Sequence, residues 1–363
     1  MIYPLSSFEF PADHGPSRKI MVGPDCRPEG FENRYDFKTL FYDAVYVSKG
    51  NWVVLYCPKL LNFKSILRQA KITCDGKPVG RRRVRLLRRC DEVWIKVDGP
   101  VTSIQIEGPD VSATLPVNAD TADFAGRRVM VTRSKDNPLD WVKTWVEFHV
   151  QHQGVDAILF IDNGSTLYTP QELHDELEQI EGLKTVGVVP APFRYGGSNT
   201  GKLKHLTKFF QSSMLNMIKT RFFSQAAGVL WHDVDELVIS DTGTVFEEAA
   251  KSKLGYVTIP GHWRYADAVA GRKPMHADHI FRKEPDHLCK EKYCLIPNRW
   301  AAKGTWDVHG VRRYAFNNLV KSVNSRFLHC ANLSNSWKRD RSIKSVAKMV
   351  IDPQAAALWQ DPR

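Results

Sequence analysis

The feature that most constrains this chain lies after residue 120, where strand-like and helix-like segments alternate. Arg127-Arg-Val-Met-Val-Thr132 reads as a strand, and Leu139 to His152 reads as a helix with Trp141, Trp145, Phe148 and His149 at helical spacing. Ala157-Ile-Leu-Phe-Ile161 is the next strand and runs into Asp162-Asn-Gly-Ser165. Thr169 to Ile180 is a second helix, opened by Pro170 and closed by Gly182, and Thr185-Val-Gly-Val-Val189 is a third strand. Two successive strand–helix–strand units imply a parallel sheet with helices on its faces, and such sheets bind ligands at the carboxyl ends of their strands. No Gly-x-Gly-x-x-Gly follows the first strand and no P-loop occurs, so a standard dinucleotide or NTPase fold is excluded.

Before residue 120 the texture differs. Trp52-Val-Val-Leu-Tyr56, Arg83-Val-Arg-Leu-Leu87, Glu92-Val-Trp-Ile-Lys-Val97 and Val101-Thr-Ser-Ile-Gln-Ile106 read as short strands. Asp75-Gly76 and Asp98-Gly-Pro100 are turn signals between them. The reading is a small β-sandwich over residues 1–120 followed by an α/β domain over residues 121–363. Arg81, Arg82, Arg83, Arg85, Arg88 and Arg89 form a basic stretch in the first part. It reads as a solvated strand face or as a contact for an anionic surface. Nucleic acid is the weaker option, because no ladder of aromatics accompanies it.

The net charge of +11, from 51 basic and 40 acidic residues in 363, suits an anionic partner without choosing one. No apolar run approaches the ~20 residues of a membrane-spanning helix, and the start of the chain lacks the layout of a secretory signal. The expectation is a cytoplasmic protein, with peripheral association at an anionic membrane left open. The seven cysteines are odd in number and irregularly spaced, which suits reduced thiols. A zinc site at His287, Cys289 and Cys294 is the alternative for that stretch.

The chemistry centres on Gly228-Val-Leu-Trp-His-Asp-Val-Asp-Glu-Leu-Val-Ile239, an apolar run interrupted by three carboxylates within four residues. Strand geometry would put Asp233 and Asp235 on one face, where they repel unless a cation lies between them. Mg²⁺ or Mn²⁺ suits such carboxylates when a substrate diphosphate completes the shell. Acidic-x-acidic spacing alone is weak, since about four instances are expected by chance in this composition. By its residues the segment is either a metal–diphosphate site or a solvated turn.

Four blocks in order make residues 127 to 345 resemble the GT-A glycosyltransferases, in particular the family 2-like and family 92-like enzymes. They are Val131-Thr-Arg-Ser-Lys-Asp-Asn137 with Trp145-Val-Glu-Phe-His149; Phe160-Ile-Asp-Asn-Gly-Ser165; Trp231-His-Asp-Val-Asp-Glu-Leu237; and Lys292-Tyr-Cys-Leu-Ile-Pro297 with His309-Gly310. The resemblance implies a Rossmann-like nucleotide-diphospho-sugar transferase domain and transfer from a nucleotide-sugar donor, a UDP-sugar being favoured. The acceptor would be a glycan or a lipid-linked saccharide in surface polysaccharide or glycolipid synthesis, and transfer would invert the anomeric centre. Asp235 is implied as a direct metal ligand, with Asp233, His309 and His329 as further candidates. Asp162 and Arg133, with Asp233, are candidates for the nucleotide. Lys135-Asp-Asn137 departs from the family's Lys-Asn-Glu, which puts a role for Asn137 in doubt.

Glycosyl transfer passes through an oxocarbenium-like state, and a cation would neutralise the departing diphosphate. An inverting enzyme also needs a general base, for which Asp267, Glu284 and Asp307 are the candidates. Trp263 and Trp300 are candidates for stacking on a sugar face or for packing. Asn163 and Asn332 open glycosylation-type triplets that carry no meaning in a cytoplasmic chain. Two other functions remain: a basic module binding nucleic acid or phospholipid through Arg81 to Arg89, and an inactive glycosyltransferase-like scaffold.

Overall fold

The computed structural model describes residues 1–201, 206–267, 269, 272–312, 320–333, 346 and 348–359. At its centre is an eight-stranded mixed sheet. Its strands in chain order are β1 (Arg128–Ser134), β2 (Ala157–Asp162), β3 (Thr185–Pro190), β4 (Gly228–Trp231), β5 (Glu236–Ser240), β6 (Tyr256–Arg264), β7 (Leu288–Leu295) and β8 (Ser325–Cys330). Their spatial order is β3-β2-β1-β4-β7-β6-β8-β5. The first four run parallel where they pair, β7 is antiparallel to β4 and β6, β8 is parallel to β6, and β5 is antiparallel to β8. Four helices flank them: α1 (Leu139–Gln153), α2 (Pro170–Glu178), α3 (Phe209–Arg221) and α4 (Val245–Lys251).

The unbroken apolar character of β1 and β2 follows from burial on both faces. Val129, Val131, Leu159 and Ile161 face a core shared with α3, whereas Met130, Ile158 and Phe160 face the core under α1, α2 and α4. Gly154 ends α1 in the left-handed conformation at φ 63°, and Thr169 and Glu172 close a reciprocal capping box at the start of α2. Among the described residues no helix is long and apolar enough to cross a membrane. All seven cysteines are free thiols.

The first 120 residues form two main sheets beside a two-stranded ladder of Phe8–Glu9 with Thr39–Phe41. One has five strands, in the order Asn118–Ala119, Asp43–Val47, Trp52–Pro58, Cys90–Lys96 and Arg82–Leu86. The other has four, Val111–Pro116, Ser103–Gly108, Lys71–Cys74 and Lys77–Pro78. Tyr46, Val53, Leu55 and Ile95 of the first share a core with Ile72, Ile104 and Ile106 of the second. The opposite face of the five-stranded sheet presents Val45, Val47, Val54 and Tyr56 to Phe210, Met214 and Met217 of α3. That sheet is therefore a middle layer, and the apolar core runs on past residue 120.

A buried ion pair pins this junction. Arg221 at the end of α3 donates to Asp43 Oδ2 at 3.0 Å, while Ser6 N and Asn118 Nδ2 donate to Oδ1 at 2.9 and 2.8 Å. Burial raises the Asp43 carboxyl and Arg221 opposes that rise. Removing one partner of such a pair leaves a charge stranded in the core. Arg221→Ala should cost roughly 3–5 kcal/mol, read from the urea midpoint, whereas the double change Asp43→Leu with Arg221→Met should recover most of it.

The face of α1 that meets β5 carries a polar stripe. Trp145, His149 and Gln153 lie four residues apart and are 0% exposed. Trp145 Nε1 donates to Glu236 O at 2.9 Å, Val238 N donates to His149 Nε2 at 3.1 Å, and Gln153 Nε2 donates to Val238 O at 3.2 Å. The free edge of β5 is thus satisfied by side chains rather than by another strand. His149 Nδ1 faces Trp145 O at 2.7 Å, so its neutral Nδ1–H tautomer fits both partners.

Burial holds His149 down to about pKa 3 from the usual 6.5, and His276, whose Nε2 faces Val234 O at 2.8 Å, is held down to about 3 as well. A base depressed by folding stabilises fully above its unfolded pKa and loses that contribution as pH falls toward the folded one. Each histidine should therefore steepen acid destabilisation by up to about 1.4 kcal/mol per pH unit below pH 6.5. In melting temperatures recorded from pH 7 to 4, His149→Gln, which keeps a donor and an acceptor but does not titrate, should flatten the fall. An unchanged slope would refute this.

Candidate active site

The three carboxylates of the central motif do not continue a strand. β4 ends at Trp231 and β5 begins at Glu236, so Asp233 and Asp235 lie in the connection. A tight turn is closed there by Glu236 N donating to Asp233 O at 3.0 Å, and Asp233 N in return donates to Glu236 Oε2 at 2.9 Å. The expectation that strand alternation sets both aspartates on one face is corrected: the turn directs them to different neighbours.

Asp233 faces Lys292. The ammonium, on a side chain 1% exposed, lies 2.6 Å from Asp233 Oδ2 and 2.8 Å from Glu236 Oε2. Burial works against this charge, and Asp233 and Glu236 more than offset it, holding Lys292 above its ordinary pKa. Burial also works against the Glu236 carboxylate, which Lys292 overrides, keeping it ionised. Lys292 sits on β7, the strand beside β4, and its place in the sheet brings it to the turn.

Asp235 faces His329 at the end of β8, with His329 Nε2 at 3.2 Å from Asp235 Oδ2 and Nδ1 at 3.8 Å from Glu236 Oε1. Burial opposes protonation of this imidazole, but Asp235, Cys289 and Glu236 raise its pKa to about 10. Trp263 stacks on His329 with centroids 3.9 Å apart, so that face of the indole is already occupied. Asp235, Glu236 and His329 have ligand atoms all within 4.8 Å of one another, a grouping able to hold a metal ion. With His329 neutral, three carboxylates and the Lys292 ammonium leave a net charge of about −2, which matches a divalent cation.

His309 is half-buried, and its Nδ1 donates to Glu291 O at 2.9 Å. Burial, followed by the nearby Lys292, lowers its pKa. The neutral ring then carries its lone pair on Nε2, the tautomer a metal or phosphate ligand requires. Arg133, at the carboxyl end of β1, is 8% exposed, and its guanidinium lies 4.4 Å from the ring centroid of Tyr195. Its Nε has no hydrogen-bond partner among the described residues. Asp162 ends β2, the strand beside Arg133's β1 and two strands, or about 10 Å, from β4 along the same sheet edge. It accepts from Ser165 Oγ at 2.5 Å and shapes the loop there. Burial raises its carboxyl.

Of the three general-base candidates, Asp307 is the most enclosed. Asp307 Oδ1 accepts from Arg89 at 3.1 Å and from Val308 N at 2.9 Å, and Oδ2 is taken by Arg312. Burial raises its carboxyl, and the two arginines more than reverse that. A carboxylate so committed is a poor base as it stands, and through Arg89 it ties the first 120 residues to the segment after β7. Glu284 is exposed and paired with Arg282 at 2.9 Å, and Asp267 is exposed on the same β6–β7 connection. Trp300 is 44% exposed on the segment after β7.

The zinc reading fails as well. His287 Nδ1 faces the Tyr265 hydroxyl at 3.1 Å, and His287, Cys289 and Cys294 do not converge as a ligand set. Ser334 of the Asn332 triplet lies outside the described residues. Sequence reasoning missed Glu236 and Lys292 as site residues. The signal was present, since Glu236 is the third carboxylate of the motif and Lys292 opens the last block.

No family model matches the chain, and no curated protein matches it. Among solved structures it is similar to the mannosyltransferase Ktr4p of S. cerevisiae, at 10% identity and a TM-score of 0.25 over 41% of this chain and 42% of that one. It is also similar to TarS of S. aureus, at 13% identity and a TM-score of 0.22 over 41% of this chain and 23% of that one. A TarS 1-349 structure in complex with UDP-GlcNAc aligns at 12% identity and a TM-score of 0.22, over 43% of this chain and 39% of that one. The chain thus spans less than half the length of each, and the functional reading rests on the site itself.

The Lys292 bridge is directly testable. Lys292→Met should lower the melting temperature by leaving Asp233 and Glu236 facing each other. Adding Glu236→Gln should recover part of the loss, with a coupling of about 0.5–3 kcal/mol in a double-mutant cycle. Strict additivity would show that the bridge does not form.

Proposed function

We propose that the chain is a metal-dependent glycosyltransferase that takes a nucleotide-sugar, preferably a UDP-sugar, as donor. The observation that carries this reading is the turn at the carboxyl edge of the parallel strands, where Asp235, Glu236 and His329 converge, with Arg133 at the carboxyl end of β1 holding a buried Nε that has no partner among the described residues. A buried donor without a partner calls for a ligand acceptor, and a phosphate oxygen fits Arg133. Asp235 and His329 would hold Mn²⁺ or Mg²⁺, with Glu236 behind them. The cation would supply charge neutralisation for the departing diphosphate.

The chain's own residues do the rest. Lys292 keeps Glu236 ionised and fixes Asp233 and Glu236 in the turn. His309 presents a neutral imidazole, and Arg133 offers Nε to the anion. Asp162 and the β2 edge belong to the nucleotide side of the site in this reading. The acceptor would be a glycan or a lipid-linked saccharide, transfer would invert, and residues 1–120 would be an accessory unit of a GT-A-type enzyme.

The test is turnover. Hydrolysis or transfer from a panel of UDP-sugars should require Mn²⁺ or Mg²⁺, stop on chelation, and fall at least about 100-fold in Asp235→Ala, the order expected for losing one electrostatic stabiliser of the leaving group. Full activity in Asp235→Ala would overturn the assignment.

A further inference from the structure

The face of the five-stranded sheet that meets α3 is only partly covered by it. Cross-strand partners share a face, so register assigns Val47, Trp52 and Lys96 to one row and Val45, Val54, Trp94 and Arg83 to the next. Trp52 and Trp94 pack at the margin of the core under α3 and remain partly exposed. Their rings stand edge to face, with centroids 6.0 Å apart.

Trp94 is locked, because its Nε1 donates to Glu92 Oε2 at 2.8 Å. Cations flank the pair: Lys96 Nζ lies 5.5 Å from the Trp52 ring and the Arg85 guanidinium 5.8 Å from that of Trp94. Arg83 is exposed beside them. Arg83 and Arg85 of the basic stretch singled out in the sequence thus border an aromatic step.

A cavity of about 600 Å³ adjoins this step. Val47 lines it, and the hairpin after Val47 joins it to the tryptophans, since Lys96 Nζ donates to Gly50 O at 2.6 Å. Ser48, Thr121, Thr220, Ser224, Gln225 and Asn298 supply hydroxyl and amide groups to its wall. The volume falls within the roughly 300–1,000 Å³ of small-ligand sites.

We propose that the Trp52–Trp94 step and the adjoining cavity form a saccharide-binding groove for an anionic glycan, separate from the Asp235 site. Indole faces stack on the C–H faces of pyranose rings, neutral amides and hydroxyls bond sugar hydroxyls, and Arg83 and Lys96 pair with carboxylate or phosphate groups along the chain, while Arg85 stays paired with Glu92 at 2.9 Å. The edge-to-face rings do not offer the parallel platforms that successive nucleobases use, which favours a sugar chain over single-stranded nucleic acid.

Titration of the whole protein with hexagalacturonate, followed by tryptophan fluorescence, should give saturable binding. Trp52→Ala should weaken it at least tenfold, Trp52→Phe should retain most of it, and Arg83→Ser should weaken it several-fold. Asp235→Ala should leave it unchanged, so failure of the groove and failure of the transferase reading separate. Arg83→Ser, at an exposed position, keeps the test decisive if Trp52→Ala does not fold. No saturable binding up to millimolar hexagalacturonate, equal affinity in the folded tryptophan and arginine variants, or tighter binding of a thymidine oligonucleotide would each overturn the proposal.

Discussion

An ammonium group at the end of a buried side chain holds the site together. Lys292 reaches from β7 to Asp233 and Glu236, whose carboxylates could not share so small a volume without it. Closing the turn fixes where β5 begins, and Trp145 of α1 then binds Glu236 O from the other side. The helix that satisfies the edge of β5 and the strand that supplies the lysine thus clamp the same turn. Burying charge is costly unless each ion is paired, and here every member has a named partner.

This pairing divides the labour of the three acids. Asp233 and Glu236 are tied to Lys292, while Asp235 is left to His329. In this arrangement His329 is an imidazolium that serves as a cation beside Asp235. A divalent ion in the same place would take over that role and leave the imidazole as a ligand. The Asp-x-Asp spacing therefore does not describe a symmetric carboxylate pair. It describes one acid committed to the scaffold and one turned to a neighbouring pocket of donors.

The alternation of strands and helices was legible where local and global signals agreed. The segments read as β1, α1, β2, α2 and β3 appear at nearly the expected bounds, because Pro170, Gly154 and the capping box at Thr169 punctuate them. The β5–β8 half was not legible, since its pairings join residues far apart in sequence and leave no periodic trace. The continuous run at Trp52 to Tyr56 marks a strand buried on both faces, with Val53 and Leu55 in one core and Val54 and Tyr56 in the other. That dual burial is also why the break in texture at residue 120 is not a break in the core.

Within the site, Asp235 and His329 could be named from the order of the blocks, and the structure brings them within 3.2 Å. Asp307 could not be judged from sequence, because its partner Arg89 lies more than 200 positions away. The most direct test of the account is anomalous diffraction at the manganese edge from crystals soaked in Mn²⁺ and UDP. The account predicts a single strong peak in contact with Asp235 and His329, with the diphosphate on its far side. A peak at His174, Asp175 and Glu178 instead, or none at Asp235, would contradict it.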